Sequence, residues 1–290
     1  MALSGKALDV CLNLYLRDFF KNINSVLDMG DQDLNLGFKE IEEKFKKFKI
    51  DFDQNLFEPA KKYPERPRVS SSAFWKSIGI KTTDRMDIME FPRSKNDTLG
   101  KFYKHDLNHP LDNRELMKKY DLVTDFGNNE HPFNIAETYK TMHKLCKKGG
   151  VLFIDQAYFG GNGFYNFDIS YFENLAAVND YSCIHSCLVF NFKENYFSTP
   201  IDRDFIKYIN MEKIQTISQI FVLRKNSDKD FKFPYQGKGK KIVSEEYYQI
   251  DYVGKNLPLE KLYLPNNIND ISTKKLIETL MQRLTNKIKK

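Results

Sequence analysis

The chain has 290 residues, 41% of them hydrophobic, with 24 Phe and 16 Tyr, so it holds enough apolar material for a packed core and is not a disordered chain. Its 45 basic and 39 acidic residues leave a net charge of +6, but outside 238–241 and the C-terminus the basic residues are widely spread. This pattern disfavours a nucleic-acid substrate, because nucleic-acid-binding proteins usually carry a basic stripe. The four cysteines are too few and too scattered for a disulfide framework, which favours a reducing, cytoplasmic location.

The apolar residues are too interrupted to form a membrane segment. Lys6 and Asp9 break up the first 15 residues, so we expect no signal peptide. No stretch approaches the roughly 20 apolar residues that cross a bilayer. We therefore expect a soluble protein without stable membrane insertion.

Strand, turn and helix signals alternate through the first half of the chain. Gly30 follows the first strand as a turn residue, and the serines at 70–72 precede a helix as N-cap residues. Such alternation predicts a parallel sheet wound with helices. In chain order the predicted elements are helix Ala7–Phe20, strand Ser25–Met29, helix Leu36–Phe48, helix Ala73–Ile78, strands Lys81–Ile88 and Gly100–Asp106, a helix ending at Leu116–Tyr120, strand Asp121–Asp125, helix Ile135–Cys146, a turn at Lys147–Gly150 and strand Val151–Ile154.

The second half of the chain is richer in β signals. Two runs, Cys183–Phe192 and Thr216–Leu223, are predicted as late strands of the same sheet. The last segment, 272–290, has apolar residues on one side of a basic helix capped by Ser272. Packing on the domain, or on a second subunit in a homodimer, is the ordinary role of such a helix, and resting on an anionic membrane is the alternative.

Acidic residues follow four of the predicted strands. They are Asp28, Asp87, Asp106 and Asp125, and ligands of open α/β sheets bind at the carboxyl ends of strands. A carboxylate after the second strand suits a ribose, since its oxygens accept from both vicinal hydroxyls; Asp87 fits this role, with Asp84 as the alternative. A single acid of this kind is usually a turn former or helix cap, but four in register favour a nucleoside site.

These residues belong to a series of segments that resembles the class I S-adenosylmethionine (SAM)-dependent methyltransferases, in particular a bacterial small-molecule subgroup. The resemblance covers most of 24–237. Gly163-Phe164-Tyr165-Asn166, Arg224-Lys225 and Phe233–Gly237 are similar to the narrower subgroup. The segments similar to the whole class are Val26-Leu27-Asp28-Met29-Gly30, Asp106-Leu107-Asn108, Asp125–His131 and Lys148-Gly149-Gly150 with Val151–Ile154.

The resemblance implies a Rossmann-like open sheet, mostly parallel and seven-stranded with a reversed last strand, and helices on both faces. It implies a methyltransferase domain over 1–237, with an N-terminal helix at 1–22 and an acceptor-side loop and helices at 158–215, followed by a C-terminal extension at 238–290. SAM would lie across the ends of the first four strands and leave as S-adenosylhomocysteine. The implied cofactor contacts are Asp28, Gly30 and the neighbouring Gln32 to the methionine part, Asp87 to the ribose, Asp106 and Leu107 to the adenine, and Asp125 and Phe126 near the sulfonium.

Two departures from the family pattern affect function. The glycine-rich loop is reduced to Gly30 followed by Asp31-Gln32-Asp33, which leaves no phosphate cradle and disfavours NAD. SAM, which carries a sulfonium and an ammonium, tolerates such acidic neighbours. The reduced motif also keeps open an alternative, a catalytically inactive binding or scaffold protein. A histidine common in the subgroup is replaced by Asn162.

Methyl transfer requires a positioned acceptor and a base for its proton. We predict His131 as the base, with Glu130 orienting or charge-balancing its ring; the alternative is a histidine that caps a helix or packs without titrating. Tyr158, Asn162 and Tyr165 lie on a glycine-rich loop that could close over the acceptor, or could serve only as core anchors.

The remaining motifs narrow the substrate. Cys183, His185 and Cys187 alternate on a predicted strand, but zinc sites usually need a second ligand pair, so we expect buried thiols and no metal. An Asn-Pro-Pro-Tyr type element, typical of enzymes that methylate base amino groups, is missing after the fourth strand. By analogy with similar bacterial enzymes, we expect methylation of oxygen or nitrogen on a sugar, sugar phosphate, capsular precursor or secondary metabolite.

Overall fold

One large sheet runs through the molecule and carries helices on both faces. The structure is a computed structural model that describes residues 2–58, 69–90, 98–192, 195–207, 209, 211, 214–235 and 243–244. Except for 243–244, the predicted extension at 238–290, with its helix from Ser272, lies outside the described residues.

The strands are β1 Ala2–Leu3, β2 Ser25–Met29, β3 Asp33–Leu34, β4 Val69–Ser70, β5 Thr82–Asp87, β6 Phe102–Lys104, β7 Tyr120–Phe126, β8 Cys146–Phe159, β9 Tyr181–Phe192, β10 Asn195–Pro200, β11 Thr216–Lys225 and β12 Val243–Ser244. Seven of them, β2, β5 to β9 and β11, overlap the strands predicted from the sequence. The helices are α1 Gly5–Tyr15, α2 Phe38–Lys47, α3 Ser72–Ser77, α4 Ile135–Leu145, α5 Ile169–Val178 and α6 Arg203–Lys207.

The large sheet has the order β6-β5-β2-β7-β8-β11-β9-β10, with β12 beside β9. Strands β6, β5, β2, β7 and β8 are parallel to one another, and β11 is antiparallel to both β8 and β9. When the seven strands between the β6 edge and β9 are numbered in chain order, their order across the sheet is 3-2-1-4-5-7-6. Only the seventh of them, β11, is reversed. This confirms the predicted Rossmann-like sheet. The edge strands β10 and β12 were not predicted.

Each face of the sheet buries a separate core. All seven residues of β7 are buried, as expected for a parallel strand covered on both sides. On β2, Val26 packs with α1 to α3, whereas its neighbour Leu27 packs with α4 and α5. The first core is rich in aromatic rings, with Trp75 stacked near Phe126 at a centroid distance of 6.5 Å.

Two local predictions at the start of strands were wrong. A helix was predicted to end at Leu116–Tyr120, but the structure has only a 3-10 turn there, Arg114–Leu116, and Tyr120 already belongs to β7. The predicted turn at 147–150 is a bulge within β8: Tyr120 pairs with Cys146 and Leu122 with Val151. The positive φ of Gly149, 80°, allows the bulge to fold back.

A second bulge separates the thiols of β9. The register shifts between Val222 and Leu223, which pair with His185 and Cys183, and Ile184 is the extra residue. Cys183 consequently packs in one core and Cys187 in the other. The predicted shared face of Cys183, His185 and Cys187 was therefore wrong. No cluster of potential metal ligands occurs among the residues that the structure describes.

The chain leaves the first strand by an unusual path. Gly30 has a φ of 92°, and the next residues form β3, which pairs with β1 and β4 in a small three-stranded sheet. The first helix after β2 begins only at Phe38. Because residues 30–34 are buried, this turn is covered by protein rather than open as a glycine loop. Within the described part of the chain, none of the helices has the length and apolar character to cross a membrane.

Candidate functional site

A cavity of about 410 Å³ lies at the carboxyl ends of β7 and β8. The start of β11 and the N-terminal segment 2–6 complete its wall. Four of the predicted site residues line it together, namely Phe126, Glu130, His131 and Asn162. The location agrees with the rule that open α/β sheets bind ligands beyond the carboxyl ends of their strands.

The Asp125 carboxylate shapes the turn that carries Glu130 and His131. It accepts hydrogen bonds from the main-chain N–H groups of Asn128 and Asn129 at 3.1 and 3.0 Å. The Gln156 amide donates to both of its oxygens at 2.7 Å, and the Tyr139 hydroxyl donates at 3.3 Å. Asp125 is fully buried and does not line the cavity, so the structure gives it a framework role rather than a place near the reacting group.

His131 stands half-exposed at the cavity. Its Nε2 is 3.8 Å from Glu130 Oε1, and its ring also hydrogen-bonds the main chain of Gly127. Burial lowers the pKa of His131 below its ordinary 6.5, so the ring is neutral at pH 7 and able to take a proton. Burial raises the pKa of Glu130, which also accepts a hydrogen bond from the Ala157 main chain.

The glycine loop after β8 passes directly over Glu130. A Cβ on Gly161 would lie 3.3 Å from Glu130 Oε2, and one on Gly163 would lie 2.5 Å from the Glu130 carbonyl oxygen. The Phe164 N–H donates to that same carbonyl at 2.8 Å. These contacts explain why glycine is needed at positions 161 and 163, because a residue with a side chain could not come this close to Glu130.

The three predicted acceptor residues separate in the structure. Asn162 lines the cavity. The Tyr165 hydroxyl donates to the Phe133 carbonyl at 2.6 Å, which anchors the loop. Tyr158 packs against the core on the α4 and α5 face and does not line the cavity.

The sequence analysis missed two charged residues of the cavity, Lys6 and Asp155. Lys6 Nζ donates to Ser218 Oγ at 2.7 Å and lies 3.8 Å from Asp155 Oδ1. The strand-end rule could have found Asp155, which directly follows the predicted strand Val151–Ile154, but it was applied only to the first four strands of the sheet. Lys6 carries no local signal, because its partner Ser218 is 212 residues away in the sequence.

Asp28 is bound on every side by protein. Its carboxylate accepts from Ser71 Oγ, Thr124 Oγ1 and Trp75 Nε1, the last at 3.2 Å. Burial raises its pKa to about 6 in spite of these donors. Ser71, predicted as an N-cap, makes no capping bond and instead helps to tie α3 to the sheet through Asp28.

The other residues predicted for a cofactor lie along the β2, β5 and β6 edge. Gly30 donates its N–H to the Met86 carbonyl at 2.6 Å, and Gln32 Nε2 donates to the Met29 carbonyl at 2.6 Å. Gln32 Oε1 is buried and has no hydrogen-bond partner within the described part of the chain. The buried Arg85 neutralises Asp31 at 3.0 Å, which the sequence did not predict.

Asp87 ends β5, and each of its oxygens accepts a main-chain N–H, from Asp31 at 2.8 Å and from Ile88 at 2.6 Å. Burial raises the pKa of Asp87. Its alternative, Asp84, is buried and accepts from the Tyr120 hydroxyl at 2.8 Å and the Lys101 N–H at 3.0 Å.

Asp106 is partly exposed beyond β6 and accepts the Asn108 N–H at 2.9 Å in a local turn. This bond lowers the pKa of Asp106. The neighbouring Leu107 is buried in the core on the α4 and α5 face.

No family model matches the chain, and the search of curated proteins found no match. Solved structures with a similar arrangement include the Burkholderia thailandensis 1,6-didemethyltoxoflavin-N1-methyltransferase with its substrate and S-adenosylhomocysteine, at 12% identity and a TM-score of 0.43, covering 77% of this chain and 80% of that one. A putative methyltransferase from Bacillus halodurans is 10% identical with a TM-score of 0.41, covering 74% and 99%. A SAM-dependent methyltransferase from Archaeoglobus fulgidus is 14% identical with a TM-score of 0.38, covering 75% and 93%.

Proposed function

We propose that this chain is a class I SAM-dependent methyltransferase that transfers a methyl group to an oxygen or nitrogen of a small molecule in the cytoplasm. The observation that carries the proposal is the 3-2-1-4-5-7-6 strand order combined with a cavity at the ends of the fourth and fifth of these strands. A neutral histidine stands at that cavity, where a methyl acceptor would lose its proton.

The residues along the β2, β5 and β6 edge fit SAM better than a dinucleotide. SAM presents hydroxyls, an amine and positive charge, which call for acceptors, and this edge supplies Asp87, Asp106 and the unpartnered Gln32 Oε1. A pyrophosphate needs free N–H groups at a helix start, whereas Gly30 is buried and leads into β3. We propose that Asp87 holds the ribose and Asp106 the adenine side.

When bound, SAM supplies an electrophilic methyl group, and the chain's own residues do the rest. His131 takes the acceptor's proton at a ring nitrogen, and Glu130 stabilises the charge that then forms, at 3.8 Å. Phe126 and the glycine loop, which lies on Glu130, limit access of water to the cavity.

The size and charge of the cavity narrow the acceptor. A volume of about 410 Å³ is at the lower end of small-molecule pockets and would admit one sugar-sized ring. Among sugars, sugar phosphates and capsular precursors, we favour acceptors without a phosphate in this cavity. Lys6, the lysine of its wall, already contacts Asp155 and Ser218, so a phosphate would face Glu130 and Asp155.

The first test is calorimetric titration of the purified protein with SAM, S-adenosylhomocysteine and NAD. Micromolar binding of the first two, with no heat from NAD, is the expected result. In Asp87→Asn the affinity for S-adenosylhomocysteine should fall about tenfold, because one ribose acceptor is lost. Asp112→Asn, at an exposed loop residue outside the cavity, is the matched control.

One observation favours a second candidate, a binding protein of the same fold without turnover. The turn after β2, where the methionine part of SAM would lie, is covered by protein. Well-folded protein that binds neither SAM nor S-adenosylhomocysteine would establish this alternative and overturn the methyltransferase.

A further inference from the structure

The wall of the cavity presents polar atoms that no protein group satisfies. Asp155 Oδ1, Gln156 Oε1 and Ser4 Oγ are buried atoms of residues that line the cavity, and none of them has a hydrogen-bond partner among the residues that the structure describes. Asp155 is only 6% exposed and Gln156 only 1% exposed. Buried polar groups are normally hydrogen-bonded, so three such atoms around one cavity indicate a missing donor.

The orientation of Gln156 is fixed by its neighbour. Its Nε2 donates to both carboxylate oxygens of Asp125, so its Oε1 is the end that no protein group uses. The carboxylate oxygen of Asp155 likewise accepts hydrogen bonds only. Two of the three unsatisfied atoms are therefore pure acceptors, and the Ser4 hydroxyl can act as one.

The formal charge of the cavity wall is negative, which agrees with the acceptor character of its unsatisfied atoms. Among the described residues of the wall, Glu130 and Asp155 contribute two carboxylates and Lys6 contributes one ammonium, so their formal balance is −1. Lys6 makes no hydrogen bond to Asp155, because 3.8 Å between Lys6 Nζ and Asp155 Oδ1 is too long, and Lys6 Nζ donates one of its three protons to Ser218 Oγ. A ligand group with several donors and a positive charge would satisfy both conditions.

We propose that the methyl acceptor carries a primary ammonium group, which Asp155, Gln156 and Ser4 bind in this cavity. An ammonium has three donors and no acceptor, which matches three acceptor atoms and a negative balance. Asp155 would form the charge-assisted bond and so decide specificity. The identification as the acceptor rests on the proposed methyltransferase function, whereas the ammonium site rests on the cavity alone.

The test uses alanine-methyl-labelled protein saturated with S-adenosylhomocysteine, with nuclear magnetic resonance of the Ala157 methyl group that lines the cavity. Ethylammonium and ethanol serve as cationic and neutral probes of nearly equal size, and propionate serves as an anionic probe. We expect ethylammonium to shift the Ala157 signal with at least about tenfold higher affinity than ethanol, and propionate not to bind. The Ala176 methyl group, fully buried in the core, should not move.

Asp155→Asn should weaken ethylammonium at least about tenfold and leave ethanol unchanged, with Asp112→Asn as the matched control. Equal binding of the three probes, or ethylammonium binding that survives Asp155→Asn, would overturn the ammonium site. If S-adenosylhomocysteine itself moves the Ala157 signal and blocks ethylammonium, the ammonium belongs to the cofactor and the acceptor assignment is overturned. If ethylammonium binds but calorimetry finds no cofactor, the ammonium site holds and methyl transfer fails.

Discussion

Asp125 and Asp155 stand at the carboxyl ends of the neighbouring strands β7 and β8, and both are buried, yet their surroundings are opposite. Asp125 accepts hydrogen bonds from two main-chain N–H groups and two side chains. Asp155 has an oxygen that accepts none, and it faces a cavity. Both residues are buried, so burial does not distinguish them, whereas the number of their hydrogen-bond partners does. In this pair, the acid that protein donors satisfy has a framework role, and the acid with an unused oxygen is the one that we propose to bind a ligand.

Asp28 extends the comparison to a third strand. Like Asp125 it is surrounded by donors, and burial raises the pKa of Asp28 to about 6 and that of Asp125 to about 7. Desolvation therefore outweighs the hydrogen bonds at both positions. Perturbed pKa values often mark functional sites, but here they mark groups that hold α3 and the turn after β7 in place.

The largest expected effect is a loss of kcat/KM on replacement of His131, the histidine beside the cavity, with little change in stability. His131→Ala should lower kcat/KM by roughly 10²- to 10⁴-fold, the usual contribution of a general base. Because the pKa of His131 is lowered, wild-type kcat/KM should rise with pH with a midpoint below pH 6.5, and the variant should lose this rise. The thermal unfolding midpoint should change little, since the ring is 40% exposed. A rise with pH that persists in the variant would assign the proton to another group.

The comparison of the two acids is tested directly by a matched pair. Asp125→Ala leaves four buried donors without an acceptor, so the free energy of unfolding should fall by about 3 kcal/mol or more. Asp155→Ala removes an oxygen that no donor uses, so its cost should be about 1 kcal/mol or less. Urea denaturation of both variants measures the difference. Similar losses would show that Asp155 is also a framework residue.

The succession of the main strands along the chain could be predicted from the sequence, because apolar runs and turn residues report local structure directly, whereas the reversed last strand was implied by the family resemblance. The edge strand β10 was missed, since Asn195–Pro200 mixes polar and apolar residues and ends in proline. The bulges in β8 and β9 were also missed, because a bulge depends on the partner strand and changes which face each later side chain occupies.

The site was predicted only in part, for a related reason. Glu130 and His131 directly follow a strong strand, so their position at its end was evident. Asp155 was passed over because only the acids after the first four strands were considered, although it follows the predicted fifth strand, which continues to Phe159. The roles of Asp28 and Asp125 could not be read from the chain, since their donors, such as Thr124 and Gln156, come from other strands of the folded sheet.

The glycine loop gives a prediction of intermediate size. In Gly163→Ala the new Cβ would meet the Glu130 carbonyl oxygen at 2.5 Å, so either the glycine loop or the turn that carries Glu130 must shift. We expect a loss of about 1–3 kcal/mol in stability and about tenfold in kcat. Gly149→Ala is the control: its φ of 80° is strained for alanine, but no atom lies within 4 Å, so stability alone should fall, by about 1 kcal/mol. Equal activity of the two variants would remove the loop from the active site.

The smallest expected effect concerns the charge balance of the cavity. Lys6→Met removes the ammonium 3.8 Å from Asp155 and makes the formal balance −2 instead of −1. Ethylammonium should then bind roughly three- to tenfold more tightly, because its competitor for Asp155 is gone. Lys44→Met, which breaks an ion pair with Asp9 away from the cavity, should leave this affinity unchanged. Weaker binding in Lys6→Met would mean that Lys6 holds the Asp155 carboxylate in place for the ligand, and the unsatisfied oxygen of Asp155 would then depend on Lys6 for its orientation.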